Sequence, residues 1–268
     1  MGMAIVSLLL ALTPIVAQGR PAAPPPTMPP KVLNVVHHKL KRGTPAAYQT
    51  LEASIVAAYK RAKVPSFFWM TFQSAKDPRE ILYLNVADTT DQFNHLGELW
   101  PSIAAAHPDL LRLQTRLAGM IEGQSSTLTT RREEIAYTRG DVDVATMRAV
   151  RLFTFHVKPG REGRFMEGIR AAASGGAPWI VYEANEDSTF VLVMPLRSRI
   201  EVRRDASLPR AIRELRGAVY RRAETELFVF APAMSRLPAE FTAARARGAA
   251  GRSPSARRAE NPTPTLRH

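Results

Sequence analysis

The chain has 268 residues, no cysteine and a formal net charge of +13. The lack of cysteine excludes disulfides, thiolate metal sites and a cysteine nucleophile. The charge would suit an anionic partner, but it is uneven: seven arginines against two glutamates fall in residues 236–268. No aromatic-basic recognition motif accompanies it, so specific nucleic-acid binding is not expected.

Residues 1–19 contain an uncharged apolar run from Ala4 to Val16, followed by the small residues Ala17 and Gly19. This reads as a signal peptide, although no Lys or Arg precedes the apolar run. As a helix the run would reach about 20 Å, short of a hydrocarbon core of roughly 30 Å. Export to the periplasm or beyond is therefore expected, not a membrane span. Residues 20–30, RPAAPPPTMPP, form a proline-rich linker of extended geometry.

Residues 31–140 and 141–235 show the same order of elements. VLNVVHHKLKRG is a strand ending at a turn glycine, and Thr44 with Pro45 can start a helix that runs to about Lys63. Tyr48, Leu51, Ile55 and Ala58 recur on it at helical spacing. The β-rich runs SFFWMTFQSA and ILYLNVA follow, then helices over TTDQFNHLGEL and PSIAAAHPDLLRLQTRLAGMI, then a closing strand from Ser126. The second unit repeats this with AVRLFTFHVKPG, REGRFMEGIRAAA, APWIVYEAN, STFVLVMPL, a helix over about Pro209–Arg222 and a strand from Thr225. Each unit is β-α-β-β-α-β, which predicts an α+β fold of two ferredoxin-like units with antiparallel sheets. Each sheet keeps one face free of helices, and the sister unit is the candidate to cover it. Residues 236–268 lack apolar periodicity and read as a disordered basic tail suited to anionic envelope surfaces.

The segments FTFHVKPGREGRF and VVHHKLKRGTPAAY, each a strand, a basic glycine turn and a helix start, resemble the dimeric α/β-barrel superfamily that includes the antibiotic-biosynthesis-monooxygenase-like domains. By element order the resemblance spans residues 31–235. It implies a barrel-like pairing of the two sheets. For function it implies a range, from cofactor-independent oxygenases and haem-degrading enzymes to proteins without known activity. Haem-degrading relatives carry an axial histidine on the second helix, an asparagine on the first strand and a tryptophan on the third. Asn34 and His107 fall at similar places, but ILYLNVA has no tryptophan and Pro108 follows His107. That speaks against haem, and no cofactor or metal is expected.

Aligned on Gly43 and Gly160, His38 matches Phe155 and Lys39 matches His156, so the strand histidines are not equivalent. His38 shares a strand face with Val36 and Leu40, and His156 with Leu152 and Thr154. Trp69 shares one with Thr71, and Trp179 opposes Ile180 and Tyr182. These aromatic residues read either as core or as the walls of a pocket for a flat apolar or aromatic molecule. In the second case Trp69, Tyr83, Trp179, Tyr182 and His107 would bind the ligand, and His156, His38 and Asn85 would be catalytic. A cavity of roughly 300 Å³ between the sheets, holding a His or Asn, is then required. The alternative is a non-catalytic envelope scaffold acting through its basic tail.

Overall fold

A computed structural model describes residues 29–64, 68–135, 147–173, 179–203, 208–239 and 241–242. The signal segment, most of the linker, the 140/141 boundary and the tail beyond residue 242 lie outside them. The first unit runs β1 (Val32–Leu40), α1 (Pro45–Arg61), β2 (Trp69–Ser74), β3 (Glu80–Ala87), α2 (Thr90–Ala106), α3 (Pro108–Ala118) and β4 (Ile121–Arg131). The second runs β5 (Ala149–Val157), α4 (Glu162–Ala173), β6 (Ile180–Ala184), β7 (Thr189–Leu196), α5 (Arg199–Arg203), α6 (Arg210–Arg213) and β8 (Tyr220–Phe230). Gly43 and Gly160 sit at φ +78° and +75° in the two equivalent turns, a conformation that a residue with a Cβ rarely adopts.

Every strand pair is antiparallel, in the orders β4-β1-β3-β2 and β8-β5-β7-β6. The fold is α+β as the element order predicts. The two sheets also join edge to edge, β2 to β8 and β4 to β6, so eight strands close into one barrel. Each joint is short: Phe72–Ser74 meets Phe228–Phe230, and Thr129–Arg131 meets Tyr182–Ala184. Closure removes the sheet edges that would otherwise invite another strand.

The faces without helices turn inward and form one apolar core from both units, with Leu33, Met70 and Phe72 against Leu152, Ile180 and Phe228. The space described at its Pro29–Pro30 end is about 20 Å³, far below the roughly 300 Å³ expected of a ligand cavity between the sheets. The outward faces pack on helices. α1 and α3 cover the first unit and α4 and α6 the second.

Several boundaries differ from those the sequence predicts. β4 and β8 both begin five residues earlier than apolar alternation suggests, at Ile121 and Tyr220. Their opening halves, IEGQS and YRRAE, are largely polar and, apart from the buried Tyr220, exposed or half-buried, so no apolar alternation marks them. α2 continues through Pro101 and breaks at His107, whose φ and ψ of −132° and 72° suit a residue before proline. Beyond β8 the chain crosses back to the first unit. Trp69 and Arg236 exchange backbone hydrogen bonds of 2.9 and 3.0 Å, and Phe241 is buried in the barrel core. A tail starting at residue 236 is therefore placed too early.

Because the two units share one interior, Phe72→Ala should destabilise both together, by about 3–5 kcal/mol. Chemical unfolding followed by tryptophan fluorescence and by far-UV circular dichroism should give one shared transition at lower denaturant. Two separated transitions would contradict a common core.

Candidate functional site

Alternation along β1 sends Leu33 and Val35 into the barrel and turns Asn34, Val36, His38 and Leu40 toward the helices. Between this outer face and helices α1 and α3 lies a cavity of about 430 Å³, the size of a small-molecule site. Its floor carries Asn34, His38, Trp69, Tyr83, Asn85 and Ser126, and its roof Glu52 and Tyr59 from α1 and Gln114 from α3. On the β4 side Ile121, Gln124 and Ser126 line it, and the last two are exposed.

Four ionisable side chains form a connected chain at this site. His38 Nδ1 lies 2.8 Å from the Tyr48 hydroxyl, which is 2.6 Å from the Tyr83 hydroxyl. Tyr83 is in turn the side chain to which the Glu52 carboxyl couples electrostatically. Glu52 is only 3% exposed, and its Oε2 has no hydrogen-bond partner among the described residues. Burial pushes its pKa from 4.5 up to about 8, so at neutral pH the group is mostly a carboxylic acid. Burial, with help from the neighbouring His37, lowers His38 to about 4, so the imidazole is neutral. Burial also raises Tyr48 and Tyr83, which stay protonated.

Several of the remaining polar groups are anchored. Ser126 Oγ donates to Asn34 Oδ1 at 2.8 Å, which leaves the Asn34 amide nitrogen to donate to a ligand. Gln114 Nε2 donates to the Tyr59 hydroxyl at 3.1 Å. The Trp69 indole donates to the Met234 carbonyl at 2.8 Å and meets Tyr59 edge-on, at 5.2 Å between ring centroids. Among the described residues no Lys or Arg lines the cavity.

Of the residues singled out in the sequence, His38, Asn85, Trp69 and Tyr83 line this one cavity. The others lie elsewhere. Trp179 packs in the helix-side core of the second unit, so it cannot share a pocket with Trp69. Tyr182 points into the barrel and donates to the Pro30 carbonyl at 3.0 Å. His156 is half exposed, 3.2 Å from Thr189 Oγ1 and 3.5 Å from Glu224. His107 occupies the break between α2 and α3 and does not line the cavity. Sequence reasoning missed Glu52 and Tyr48. The signal was available, because Tyr48, Glu52, Ile55 and Tyr59 occupy one helix face and Glu52 is the charge within that stripe.

The second unit serves as an internal comparison. At equal distance from the turn glycines, His38, Tyr48 and Glu52 correspond to Phe155, Phe165 and Ile169. Tyr83 pairs with Val36 as Leu192 pairs with Phe153, and Asn85 pairs with Asn34 as Met194 pairs with Arg151. Thus five polar positions of the first unit are apolar and buried in the second. The framework closes equally well around a packed core.

This lining does not match a haem site. Among the described residues His38 is its one imidazole, with Nδ1 held by Tyr48, and no basic side chain is placed to receive propionates. Among the described residues no group of three His, Cys, Asp or Glu is arranged to hold a metal ion.

No protein-family model matches the sequence, and no curated protein matches it either. Solved structures do match in shape. An anthrone oxidase-like protein aligns with a TM-score of 0.51 at 12% identity, over 75% of this chain and 92% of its own. A monooxygenase-like protein from Fusobacterium nucleatum aligns with a TM-score of 0.50 at 12% identity, over 74% and 91%. A chlorite dismutase variant from Candidatus Nitrospira defluvii gives 0.50 at 11% identity, over 81% and 96%. At such identities the likeness establishes the fold, which is that of the dimeric α/β barrels.

Glu52 should leave a mark on stability. Its carboxyl titrates near 8 when folded and at 4.5 when unfolded, so the folded state holds the proton more tightly. The stability present below the unfolded value is lost as pH rises through about 8. Glu52→Gln removes that loss. Its melting temperature should exceed that of the wild type by about 5–10 °C at pH 9 and stay within about 3 °C of it at pH 5. Equal differences at both pH values would show that Glu52 is not held protonated.

Proposed function

We propose that the protein takes a small, uncharged, largely aromatic molecule into the cavity of the first unit and removes a proton from it, acting as a cofactor-independent oxygenase. The observation that carries this reading is the polar lining itself. His38, Tyr83, Asn85 and Glu52 stand where the second unit has Phe155, Leu192, Met194 and Ile169. A fold that closes without those polar groups does not keep them for closure, and burying them costs stability.

Tyr59 and Trp69 supply flat apolar walls, and the lack of any lining cation among the described residues favours a ligand that is neutral on arrival. Tyr48 engages His38 Nδ1, so Nε2 is the ring nitrogen left for a ligand, and it accepts a proton when Nδ1 carries the ring's hydrogen. The amide of Asn34, held by Ser126, and that of Asn85 can donate to a ligand oxygen on which negative charge develops. Loss of a proton from an activated CH₂ leaves a carbanion that reduces dioxygen and forms a hydroperoxide. Loss of water from the hydroperoxide leaves a ketone, so one dioxygen is consumed and one water released per ketone. The electrons come from the ligand.

Anthrone, which appears in the name of one structural neighbour, is the first compound to try. An oxygen electrode should record one dioxygen consumed per anthraquinone formed. His38→Ala should reduce kcat about 100-fold without lowering the melting temperature by more than a few degrees. Unchanged turnover in His38→Ala, or no binding of anthrone and related phenols by the wild type, would rule this reading out.

We also propose export, on the strength of residues 1–19 alone. A C-terminally tagged chain should appear outside the cytoplasm at a mass lacking those residues. A full-length chain retained in the cytoplasm would contradict it.

A further inference from the structure

The geometry points to a reversible hydrogen-bond relay, in which Glu52, acting through Tyr83 and Tyr48, sets the tautomer of His38 and is the final holder of the proton taken from the ligand. The inference rests on the cavity being the site of chemistry, and it adds residues that never need to touch the ligand.

The argument follows from counting hydrogens. Each tyrosine hydroxyl has one hydrogen, so in a chain of such groups it donates to one neighbour and accepts from the other. With Glu52 as the neighbour to which Tyr83 couples, only two arrangements of His38 Nδ1, Tyr48, Tyr83 and Glu52 let each hydroxyl donate once along the chain. With Glu52 protonated, it donates to Tyr83, Tyr83 to Tyr48, and Tyr48 to Nδ1. His38 then carries its hydrogen on Nε2. With Glu52 ionised, all the bonds reverse. Nδ1–H donates to Tyr48, Tyr48 to Tyr83, and Tyr83 to the carboxylate, so Nε2 presents a lone pair.

The second arrangement is the one able to accept a proton. The ligand's bond to hydrogen breaks as Nε2–H forms. Nδ1 passes its hydrogen to Tyr48, Tyr48 passes its own to Tyr83, and Tyr83 passes its own to Glu52. The ligand ends as an anion, Glu52 as a carboxylic acid, and the three groups between end neutral, each with one hydrogen. The relay also removes a difficulty. An imidazole titrating near 4 is a weak base by itself, whereas a carboxylate titrating near 8 is a better final holder for the proton.

The surroundings leave this chain in control of His38. The other titratable group that acts on it is His37, on the opposite face of β1, while Tyr59 of α1 lines the same cavity. Burial pushes Tyr59 up to about 12, and Arg236 acts on Tyr59 from 5.5 Å. From α3 and β4 the cavity receives Gln114, Gln124 and Ser126, none of which titrates. Among the described residues the His38 ring makes one hydrogen bond, to Tyr48.

The test is nitrogen-15 NMR of ¹⁵N-histidine-labelled, ligand-free full-length protein between about pH 6 and about pH 10, a range that brackets the carboxyl transition. His38 should change from an Nε2–H to an Nδ1–H tautomer with a midpoint near 8. Glu52→Gln should abolish the pH dependence. Tyr48→Phe, which interrupts the chain but keeps the ring, should abolish it as well. A single tautomer throughout in the wild type, or a switch that persists in Tyr48→Phe, would overturn the relay. If the tautomer stays fixed while anthrone is still oxidised, the relay fails and the oxygenase reading stands. If the tautomer switches but no ligand binds, the oxygenase reading fails and the relay stands.

Discussion

A closed barrel commits one face of every strand to a shared apolar interior, and in this protein that commitment governs everything else. Leu33 and Val35 of β1 must point inward to meet the second unit, so Asn34, Val36 and His38 must point outward. The interior is apolar, and the space described at its Pro29–Pro30 end is about 20 Å³. The cavity of ligand size lies instead between a sheet and its covering helices. The joints that close the barrel are three residues long on each side, so closure depends mainly on apolar packing across the interior.

The same constraint acts on both units, and they answer it differently. In the second, aromatic residues fill the space under the helices: Phe155, Phe165, Phe190 and Tyr220 touch one another. In the first, that volume holds His38, Tyr48, Glu52 and Tyr83 around a cavity of about 430 Å³. A carboxyl buried there is costly, and the cost is limited by keeping it protonated. The segment after β8 completes the arrangement. The Met234 carbonyl accepts from Trp69 and Thr71, while the Arg236 side chain donates to the Val64 carbonyl and lies over Tyr59 and Phe68. The second unit thus lends its C-terminal extension to hold one wall of the first unit's cavity.

Much of the fold was legible because strand and helix periods are local properties. The repeated strand, glycine turn and helix start around Gly43 and Gly160 identified two units of one kind. Strict alternation placed His38 and Trp69 on defined strand faces. Legibility failed where a strand had no buried partner to impose alternation, as in the opening halves of β4 and β8. It failed also for Glu52, whose position within the apolar stripe of α1 was readable, whereas its coupling to Tyr83 on a distant strand was not. Trp69 and Trp179 looked like two walls of one pocket because both are aromatic and follow similar patterns, yet they belong to separate cores.

The sequence by itself determined the element order, the α+β class, the absence of thiol chemistry and which side chains on each strand share a face. These follow from composition and from periods of two and 3.6 residues, which neighbouring residues set among themselves. Only the tertiary structure decided which face turned inward, and that one unit would keep a polar-lined cavity where the other buries apolar side chains. Those outcomes depend on volumes and hydrogen-bond partners brought together from segments far apart in the chain. The ionisation of Glu52 and His38 is of the same kind, because burial, not residue type, moved a glutamate above a histidine on the pH scale.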